Sequence, residues 1–450
     1  HTHSVSQMPM ALSEVWDDDM LAKLGLNKDG TFKQETDEEK LTRLGPYCTH
    51  AVVFMFPPVG WQHINMGREL FETNDMFARH MRECEAAASS LLPQPLLEVL
   101  YPLKEEESMY SEVIHRMRFC LPALFAVEYS LYRLWQFEGC EPFAVIGHSL
   151  GEFVAAVAAG ILTMPIAMRL VCERAFLMED TVSRGSMISL KATEALAAAA
   201  IREVGEEEVS VAAVNSATSV VISGEWKALS KVIRALPSGT KNTRVKATHA
   251  DHSPLMTAIA EQLETKARSL YGECAPSSPT CLFASTVTGD MATPELLCQP
   301  SYWADHATGC VLFTKALDSI LAAGRERAAA RESPFEAEFN LHFVEMGEGM
   351  LERCARDGFS SYYESETHTT AANVYAHSVL EKFPADASKT FEELASVHDE
   401  RKQQVMDLVR AAKLQRFLLG VGQDRVDTSP AAVAKNRPAA SATTSSGWFF

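Results

Sequence analysis

The chain has 450 residues, 47% of them hydrophobic, which is enough to bury a large core and to form two or three domains. Its formal net charge of −18 argues against a nucleic-acid partner and against an anionic membrane surface, because both require a basic face. The ten cysteines lack any Cys-x-x-Cys spacing, which predicts reduced thiols in an intracellular protein of the cytoplasm or an organelle. No apolar run approaches the roughly 18 residues that span a bilayer.

The first strong strand pattern follows an acidic stretch, residues 1–48, that we predict to be an N-terminal extension. The run from Ala51 to Phe56 is apolar throughout and stops at two prolines, which is typical of a buried strand. The following loop, Pro57 to Gly60, leaves the carboxyl edge of the predicted sheet, where α/β proteins bind ligands. It could supply a backbone donor to an oxyanion, or it could be a simple connection.

A second apolar run, Phe143 to Ile146, leads into Gly147-His148-Ser149-Leu150-Gly151 and then an alanine-rich segment typical of a helix. Gly-x-Ser-x-Gly between a strand and a helix is the pattern of a nucleophile elbow, which exposes the serine hydroxyl on a sharp turn. The next N–H, that of Leu150, lies at a helix N-terminus, where backbone donors lack intrahelical partners. We interpret Ser149 as the nucleophile of an acyl transfer; a plain tight turn is the alternative.

Two long helices are predicted, from Leu121 to Trp135 and from Ile166 to Asp180. In the second, Arg174 falls on an apolar stripe between Leu170 and Met178, four residues from each. An unpaired buried charge costs several kcal/mol, so Arg174 needs an anion. That anion is either a structural carboxylate or a carboxylate of the substrate, which a guanidinium binds bidentately.

From about Met187 the pattern changes to short strands and helices in the order βαββαβ, the ferredoxin-like unit. The predicted strands are 187–190, 209–214, 219–223 and 243–247, and the predicted helices are 193–204 and 225–236. Such a unit would form a small inserted subdomain beside the larger sheet, with a cleft between them.

The insert is followed by His249-Ala250-Asp251-His252-Ser253-Pro254. Ser253 is predicted to cap a helix whose first residue is Pro254. His252 then lies just before a helix N-terminus, which disfavours the imidazolium and keeps the ring able to accept a proton. His249 is the local alternative. Further on, 286–289, 302–303 and 343–347 are predicted strand ends and loops.

These motifs, in this order and spacing, resemble the malonyl-CoA:acyl carrier protein transacylase family, which includes the acyltransferase domains of polyketide and fatty acid synthases. The nucleophile motif at 147–152, the arginine helix at 173–178, the histidine block at 249–256, and the small-subdomain segments 214–215 and 221–224 carry the resemblance, which covers about residues 51–363. It implies an α/β fold with a hydrolase-like, mostly parallel sheet flanked by helices and an inserted ferredoxin-like α+β subdomain. The implied acyltransferase domain spans 49–365, with a large part at 49–185 and 249–365 and the insert at about 186–248; a helical linker and a disordered tail would follow at 366–450.

The resemblance also implies a reaction: malonyl passes from malonyl-CoA through an acyl-serine to the phosphopantetheine thiol of an acyl carrier protein, for polyketide or fatty acid synthesis, with no cofactor and no metal. Other synthase domains would be further partners. His252 would be the base, oriented by a backbone carbonyl, and the N–H groups of Leu150 and Val59 would hold the oxyanion. The implied substrate-binding residues are Arg174, which would pair with the free malonyl carboxylate, and His148, Gln62, Asn215 and Asp251.

The chain departs from the family pattern at several positions. Pro58 removes one N–H from the loop after the first strand, and Leu121 and Glu348 replace a glutamine and a proline. Asp251 stands where malonyl-selective members carry Phe; His249-Ala250 favours malonyl over methylmalonyl, whereas Asp251 leaves the pocket for the acyl side chain open. A serine esterase or thioesterase of the α/β-hydrolase type, the same transfer with methylmalonyl or another acyl-CoA, and a degenerate scaffold are the alternatives.

Overall fold

The structure is a computed structural model that describes residues 47–181, 184–330, 336–364 and 373–378, together with 27, 33–36, 39, 42, 407 and 411. Most of the predicted N-terminal extension and of the predicted linker and tail from residue 366 onward lie outside the described residues. The helical prediction for the linker is wrong at Asn373–Ser378, which form a strand paired in parallel with Glu336–Glu345. The limits of the predicted domains stay predictions. Within the described ranges, no helix is long and apolar enough to cross a bilayer.

Two β-sheets organise the described part of the chain. The strands are β1 (Tyr47–Phe56), β2 (Pro142–Gly147), β3 (Ser186–Leu190), β4 (Ser210–Ser216), β5 (Ser219–Gly224), β6 (Asn242–Arg244), β7 (Leu282–Ser285), β8 (Asp290–Met291), β9 (Glu336–Glu345) and β10 (Asn373–Ser378). The larger sheet has the order β10-β9-β1-β2-β7-β8, and its pairs are parallel except for β7 with β8. The α/β fold class predicted from the sequence is confirmed.

Helices cover both faces of the larger sheet and one face of the smaller. They are α1 (Arg68–Thr73), α2 (Asp75–Ala88), α3 (Leu96–Leu100), α4 (Glu107–Val113), α5 (Met117–Phe137), α6 (Gly151–Ala158), α7 (Met164–Thr181), α8 (Glu194–Val204), α9 (Trp226–Ala235), α10 (Thr257–Glu273), α11 (Pro294–Leu297), α12 (Ser301–Thr308), α13 (Phe313–Ala330) and α14 (Met350–Glu364). A single 3₁₀ turn, Pro254–Met256, precedes α10.

The central strand β1 shows why a strand of a parallel sheet has a continuous run of apolar residues. Phe54 and Phe56 pack into the core under α5, α6 and α7, whereas Val53 and Met55 pack into a second core under α13 and α14. Successive side chains of a strand point to opposite faces, so a strand covered on both faces needs apolar residues at every position.

The pairing of β1 with β2 brings two loops together at the carboxyl edge of the sheet. Phe56, the last residue of β1, lies opposite Gly147, the last residue of β2. The N–H of His148 donates to the carbonyl oxygen of Phe56 at 2.9 Å. The loop at 57–60 and the Gly-x-Ser-x-Gly turn are therefore neighbours, as expected at this edge of an open α/β sheet.

The smaller sheet has the order β4-β5-β3-β6 with antiparallel pairs, and its elements follow the predicted βαββαβ order. The ferredoxin-like insert is thus confirmed. It docks on the larger part through β4: the N–H of Val214 donates to Val311 O, and the N–H of Val311 donates to Ala212 O, both at 2.9 Å. Val311, at this junction, lies two residues after Gly309, whose carbonyl oxygen is part of the candidate active site.

Three local predictions are corrected. Tyr302-Trp303 is not a strand end, because both rings are buried in α12 and pack with the core formed by α10. Ser253 occupies the predicted N-cap position of the 3₁₀ turn that begins at Pro254, but its side chain caps no N–H; its hydroxyl donates to Ala250 O at 2.6 Å instead. The last strand of the insert is β6 and stops at Arg244, before the predicted end at residue 247.

Candidate active site

Ser149 lies at the turn between β2 and α6 with its backbone in the left-handed region, at φ 51°. This conformation is uncommon outside glycine and stores strain. The two glycines of the motif permit the turn by their lack of a side chain: a Cβ at Gly147 would lie 2.2 Å from the Cα of Glu152, and one at Gly151 would lie 2.0 Å from Phe56 O. The elbow geometry predicted from the motif is present.

The hydroxyl of Ser149 is hydrogen-bonded to His252. The distance from Ser149 Oγ to His252 Nε2 is 2.7 Å, and that from His252 Nδ1 to the carbonyl oxygen of Gly309 is 2.9 Å. A carbonyl can only accept, so Nδ1 carries the proton and Nε2 is the free acceptor. The Ser149 O–H therefore donates to Nε2, which is the arrangement a general base needs.

The backbone also holds His252 in place. Its φ is 58°, a second strained residue beside the nucleophile, and the hydroxyl of Ser210 on β4 donates to its carbonyl oxygen at 2.8 Å. Burial, assisted by the positive charge of Arg174, lowers the pKa of His252 to about 3. The ring is thus neutral at ordinary pH. His249, the alternative histidine, contacts the Thr248 hydroxyl at 3.0 Å instead of Ser149.

Two backbone N–H groups flank Ser149 without an acceptor among the hydrogen bonds of the described residues: those of Leu150 and Val59. In the loop at 57–60, Pro57 and Pro58 have no N–H, and the N–H of Gly60 donates to Gln62 Oε1 at 2.7 Å. Only the N–H of Val59 is left in that loop. Backbone donors without an acceptor near a serine hydroxyl are what an oxyanion hole requires.

A cavity of about 130 Å³ opens in front of Ser149, between the larger sheet and the insert. Its wall includes apolar side chains from both parts, among them Met187, Val221, Val245, Met350 and Leu351. Among the residues predicted to bind substrate, His148, Asn215 and Asp251 line it, together with Val59. Gln62 does not: its amide nitrogen contacts His115 and Lys246 O, so it braces the loop from behind.

His148 and Asn215 form a fixed pair across the cavity. The Nε2 of His148 lies 2.7 Å from Asn215 Oδ1, and since an amide oxygen only accepts, Nε2 carries the proton. Burial lowers the pKa of His148 to about 4, so this ring is also neutral at ordinary pH.

Arg174 is buried behind the site and does not line the cavity. Its Nη1 lies 2.9 Å from His306 Nδ1, and His306 Nε2 lies 3.0 Å from the carbonyl oxygen of Ser149. The guanidinium can only donate, so His306 accepts at Nδ1 and donates from Nε2 to the nucleophile's own backbone. Burial lowers the pKa of Arg174, and the carboxyls of Asp251 and Glu152 oppose that shift.

The sequence interpretation missed three members of this site: His306, Gly309 and Glu152. Glu152 is completely buried one turn after Ser149, where its carboxyl accepts from the Thr286 and Tyr302 hydroxyls, and burial raises its pKa to about 7. It follows the nucleophile by three residues in an apolar helix, which was the available signal. Gly309 acts through a backbone carbonyl, which no residue type encodes. No group of three or more His, Cys, Asp or Glu side chains in the described ranges is arranged to hold a metal ion.

Residues 53–336 match the family described as "Acyl transferase domain", so the chain belongs to that family and is an acyltransferase domain. It is 35% identical over 294 residues to the spectinabilin polyketide synthase system protein NorB of Streptomyces orinoci. The aligned region covers 65% of this chain and 13% of that protein. It is 31% identical over 286 residues to the PKS-NRPS hybrid synthetase ATPKS of Aspergillus niger, covering 61% of this chain and 15% of that protein. The chain thus spans a small part of the curated relatives it matches.

Solved structures with the same fold include acyltransferases of modular synthases. The loading acyltransferase of the avermectin polyketide synthase matches with a TM-score of 0.64 at 26% identity, over 78% of this chain and 100% of that one. The acyltransferase domain from the second module of the salinomycin polyketide synthase matches with a TM-score of 0.60 at 29% identity, over 83% and 74%. The resemblance inferred from the motifs is confirmed at the level of the family.

Proposed function

We propose that this chain takes an acyl group from an acyl-CoA thioester onto Ser149 and passes it to the phosphopantetheine thiol of an acyl carrier protein. The observation that carries the proposal is the 2.7 Å contact between Ser149 Oγ and His252 Nε2, with the imidazole proton held on Nδ1 by Gly309 O. The names of the relatives, which are polyketide synthases and hybrid synthetases, favour the same reaction.

The first half-reaction loads the enzyme. As Ser149 Oγ attacks the thioester carbonyl, its proton moves to His252 Nε2, and the N–H groups of Leu150 and Val59 stabilise the oxyanion. Each such donor is worth about 10²- to 10³-fold in rate. When the carbon–sulfur bond breaks, His252 returns the proton to the departing CoA sulfur. The acyl-serine and free CoA thiol are left.

The second half-reaction reverses these roles. The carrier thiol gives its proton to His252, and its sulfur attacks the ester carbonyl of acyl-Ser149. The bond from that carbon to Oγ breaks, and the proton goes to Oγ. The finer proposal is that the acyl group is malonyl, whose free carboxylate would interact with Arg174, the guanidinium that lies behind the site. Synthase domains of the polyketide or fatty acid type would be the partners.

The test is to incubate the protein with malonyl-CoA and to follow intact mass, with Ser149→Ala and His252→Ala as controls. A malonyl adduct that forms on the wild type, is absent from Ser149→Ala and is discharged by holo-acyl carrier protein supports transfer. Rapid release of free malonate without carrier protein supports the esterase or thioesterase alternative. Absence of an adduct from both malonyl-CoA and acetyl-CoA overturns the proposal and favours the scaffold alternative. Arg174→Ala should reduce loading of malonyl far more than loading of acetyl; equal losses would contradict the carboxylate contact.

A further inference from the structure

Asp251 is an unusual residue in this cavity. It directly precedes His252, its side chain is only 3% exposed, and it lines the cavity together with Ser149. Its Oδ1 is buried and has no hydrogen-bond partner among the described residues. A buried acceptor without a donor is rare, and a buried carboxylate without one is rarer still, so this group needs an explanation.

The groups that face Asp251 come from several elements. Arg174 on α7 and the neighbouring His249 act on its charge, and Asp251 acts on Cys120 of α5. Glu152 on α6 interacts electrostatically with Arg174. His306 on α12 interacts with both Arg174 and His252. His252 and His306 are already committed to other partners, and both are neutral. Arg174 is therefore the cation that balances a carboxylate at position 251.

The two charged groups are close enough to interact but do not form an ion pair. No Arg174 nitrogen is paired with Asp251 within 4.0 Å in the ion pairs of the described residues, and the Nε of Arg174 also has no hydrogen-bond acceptor. A donor, Arg174 Nε, and an acceptor, Asp251 Oδ1, are thus both buried without a hydrogen-bond partner among the described residues. Burial raises the pKa of Asp251, and Arg174 opposes this shift.

Resting on the proposed function, we propose that Asp251 determines the acyl specificity of the site by competing with the free carboxylate of a substrate for Arg174. An acyl group that carries a carboxylate, such as malonyl, is loaded only when Asp251 is protonated. A neutral acyl group, such as acetyl, is loaded in both states of Asp251.

Two carboxylates that share one guanidinium in a buried site cannot both be ionised without a large penalty, so one of them takes a proton. Asp251 is the carboxyl that burial already disfavours as an anion and that makes no ion pair with Arg174, so it is the one expected to take the proton. Once protonated, the Asp251 hydroxyl becomes a donor to the substrate carboxylate. One proton is then taken up from solvent for each malonyl group bound.

The test compares malonyl-CoA with acetyl-CoA, because the CoA part of both donors is the same and cancels in the ratio of their loading rates. Formation of acyl-Ser149 is measured by rapid quench and intact mass from about pH 5.5 to 8.5 on the wild type and Asp251→Asn. For the wild type, the malonyl-to-acetyl ratio should fall by up to about tenfold per pH unit above the pKa of Asp251. Asp251→Asn keeps the shape and removes the charge, so its ratio should be independent of pH and at least about tenfold higher than the wild type near pH 8.

Asp180→Asn is the matched control. Asp180 lies on the same helix as Arg174 but pairs with Arg118, and its side chain is 65% exposed. This variant removes one negative charge away from the cavity and should leave the ratio as in the wild type.

A malonyl-to-acetyl ratio in Asp251→Asn no higher than in the wild type near pH 8 would overturn the competition. A wild-type ratio that does not change with pH would overturn the protonation step, and it can be measured even if Asp251→Asn fails to fold. Failure of the proposed function looks different: neither donor would label Ser149 in any variant.

Discussion

Gly151→Ala tests whether the elbow depends on the close approach of helix α6 to strand β1. A Cβ at Gly151 would lie 2.0 Å from the carbonyl oxygen of Phe56 and 2.8 Å from its Cβ, whereas ordinary contact begins at 3.4 Å. The two elements must separate by about 1 Å to admit the methyl group, since neither neighbour is the end of a flexible side chain. Phe56 O also accepts the N–H of His148 at 2.9 Å, so the separation strains that bond too.

The expected magnitudes follow from this displacement. Overpacking of this kind lowers the free energy of unfolding by about 1–3 kcal/mol. A shift of about 1 Å in Ser149 and in the N–H of Leu150 should slow formation of acyl-Ser149 by about 10²-fold, because the hydroxyl, the base and the oxyanion donors no longer align. Urea denaturation measures the first effect, and rapid quench with intact mass measures the second.

Gly272→Ala is the matched control for Gly151→Ala. Gly272 is also helical, near the end of α10, and a Cβ there meets nothing within 4 Å. Alanine at an unobstructed helical position should raise the free energy of unfolding by about 0.5–1 kcal/mol and leave loading unchanged. The reasoning is refuted if Gly151→Ala is as stable as the wild type and loads Ser149 at a similar rate.

Three further predictions concern buried polar groups. Because the pKa of His252 is lowered to about 3, loading of acetyl should show no acid limb near pH 6.5 and should fall only as the pH approaches the folded pKa; a midpoint near 6.5 in the pH–rate profile would contradict this. Glu128 is completely buried and both of its carboxyl oxygens lack partners in the described part of the chain, so burial raises its pKa well above 4.5. At a pH between the unfolded and folded pKa values of Glu128, only the folded state keeps the proton, so the free energy of unfolding of the wild type falls by up to about 1.4 kcal/mol for each unit by which the pH rises. The neutral side chain of Glu128→Gln avoids this loss, so its gain in urea midpoint over the wild type should grow from pH 5 to 8. A gain that stays constant would refute the argument. Ser210→Ala removes the 2.8 Å bond to His252 O, which should lower the free energy of unfolding by about 0.5–1.5 kcal/mol and slow loading several-fold, whereas unchanged loading would show that Ser210 does not position the imidazole.

The sequence predicted those features that depend on periodicity and on local turn chemistry. Alternating apolar residues placed the strands of the insert to within a few residues, because one face of β3, β4 and β5 packs under α8 and α9. The turn at Ser149 was predictable because its glycines are demanded by contacts within a few residues and with one neighbouring strand. The prediction for Tyr302-Trp303 was wrong because it depended on contacts that are distant in sequence. Aromatic residues favour strands in isolation, and only packing on distant helices stabilises α12 there.

The partner of Arg174 could not be predicted from the sequence pattern. Its position on an apolar stripe predicted burial, and burial predicted a need for a partner. The structure supplies a neutral acceptor, His306, which lies 132 residues away, and two carboxyls that act from a distance. The choice between a salt bridge and a substrate contact therefore could not be made from spacing, because it depends on which side chains three other elements bring to the same place.

The weak basicity of His252 bears on how acyl-Ser149 would survive until a carrier thiol arrives. Gly309 O orients the imidazole as a carboxylate would, but it adds no negative charge, and Arg174 lowers the pKa of His252 further. A free thiol has a pKa of about 8.5 and water one of about 15.7, so a weak base is about seven pKa units farther from deprotonating water than a thiol. In the proposed reaction, this difference favours transfer to the carrier over hydrolysis. Replacing the neutral carbonyl by a carboxylate would raise the basicity of His252 and reduce that preference, so the neutral partner of Nδ1, Gly309 O, is consistent with a transferase.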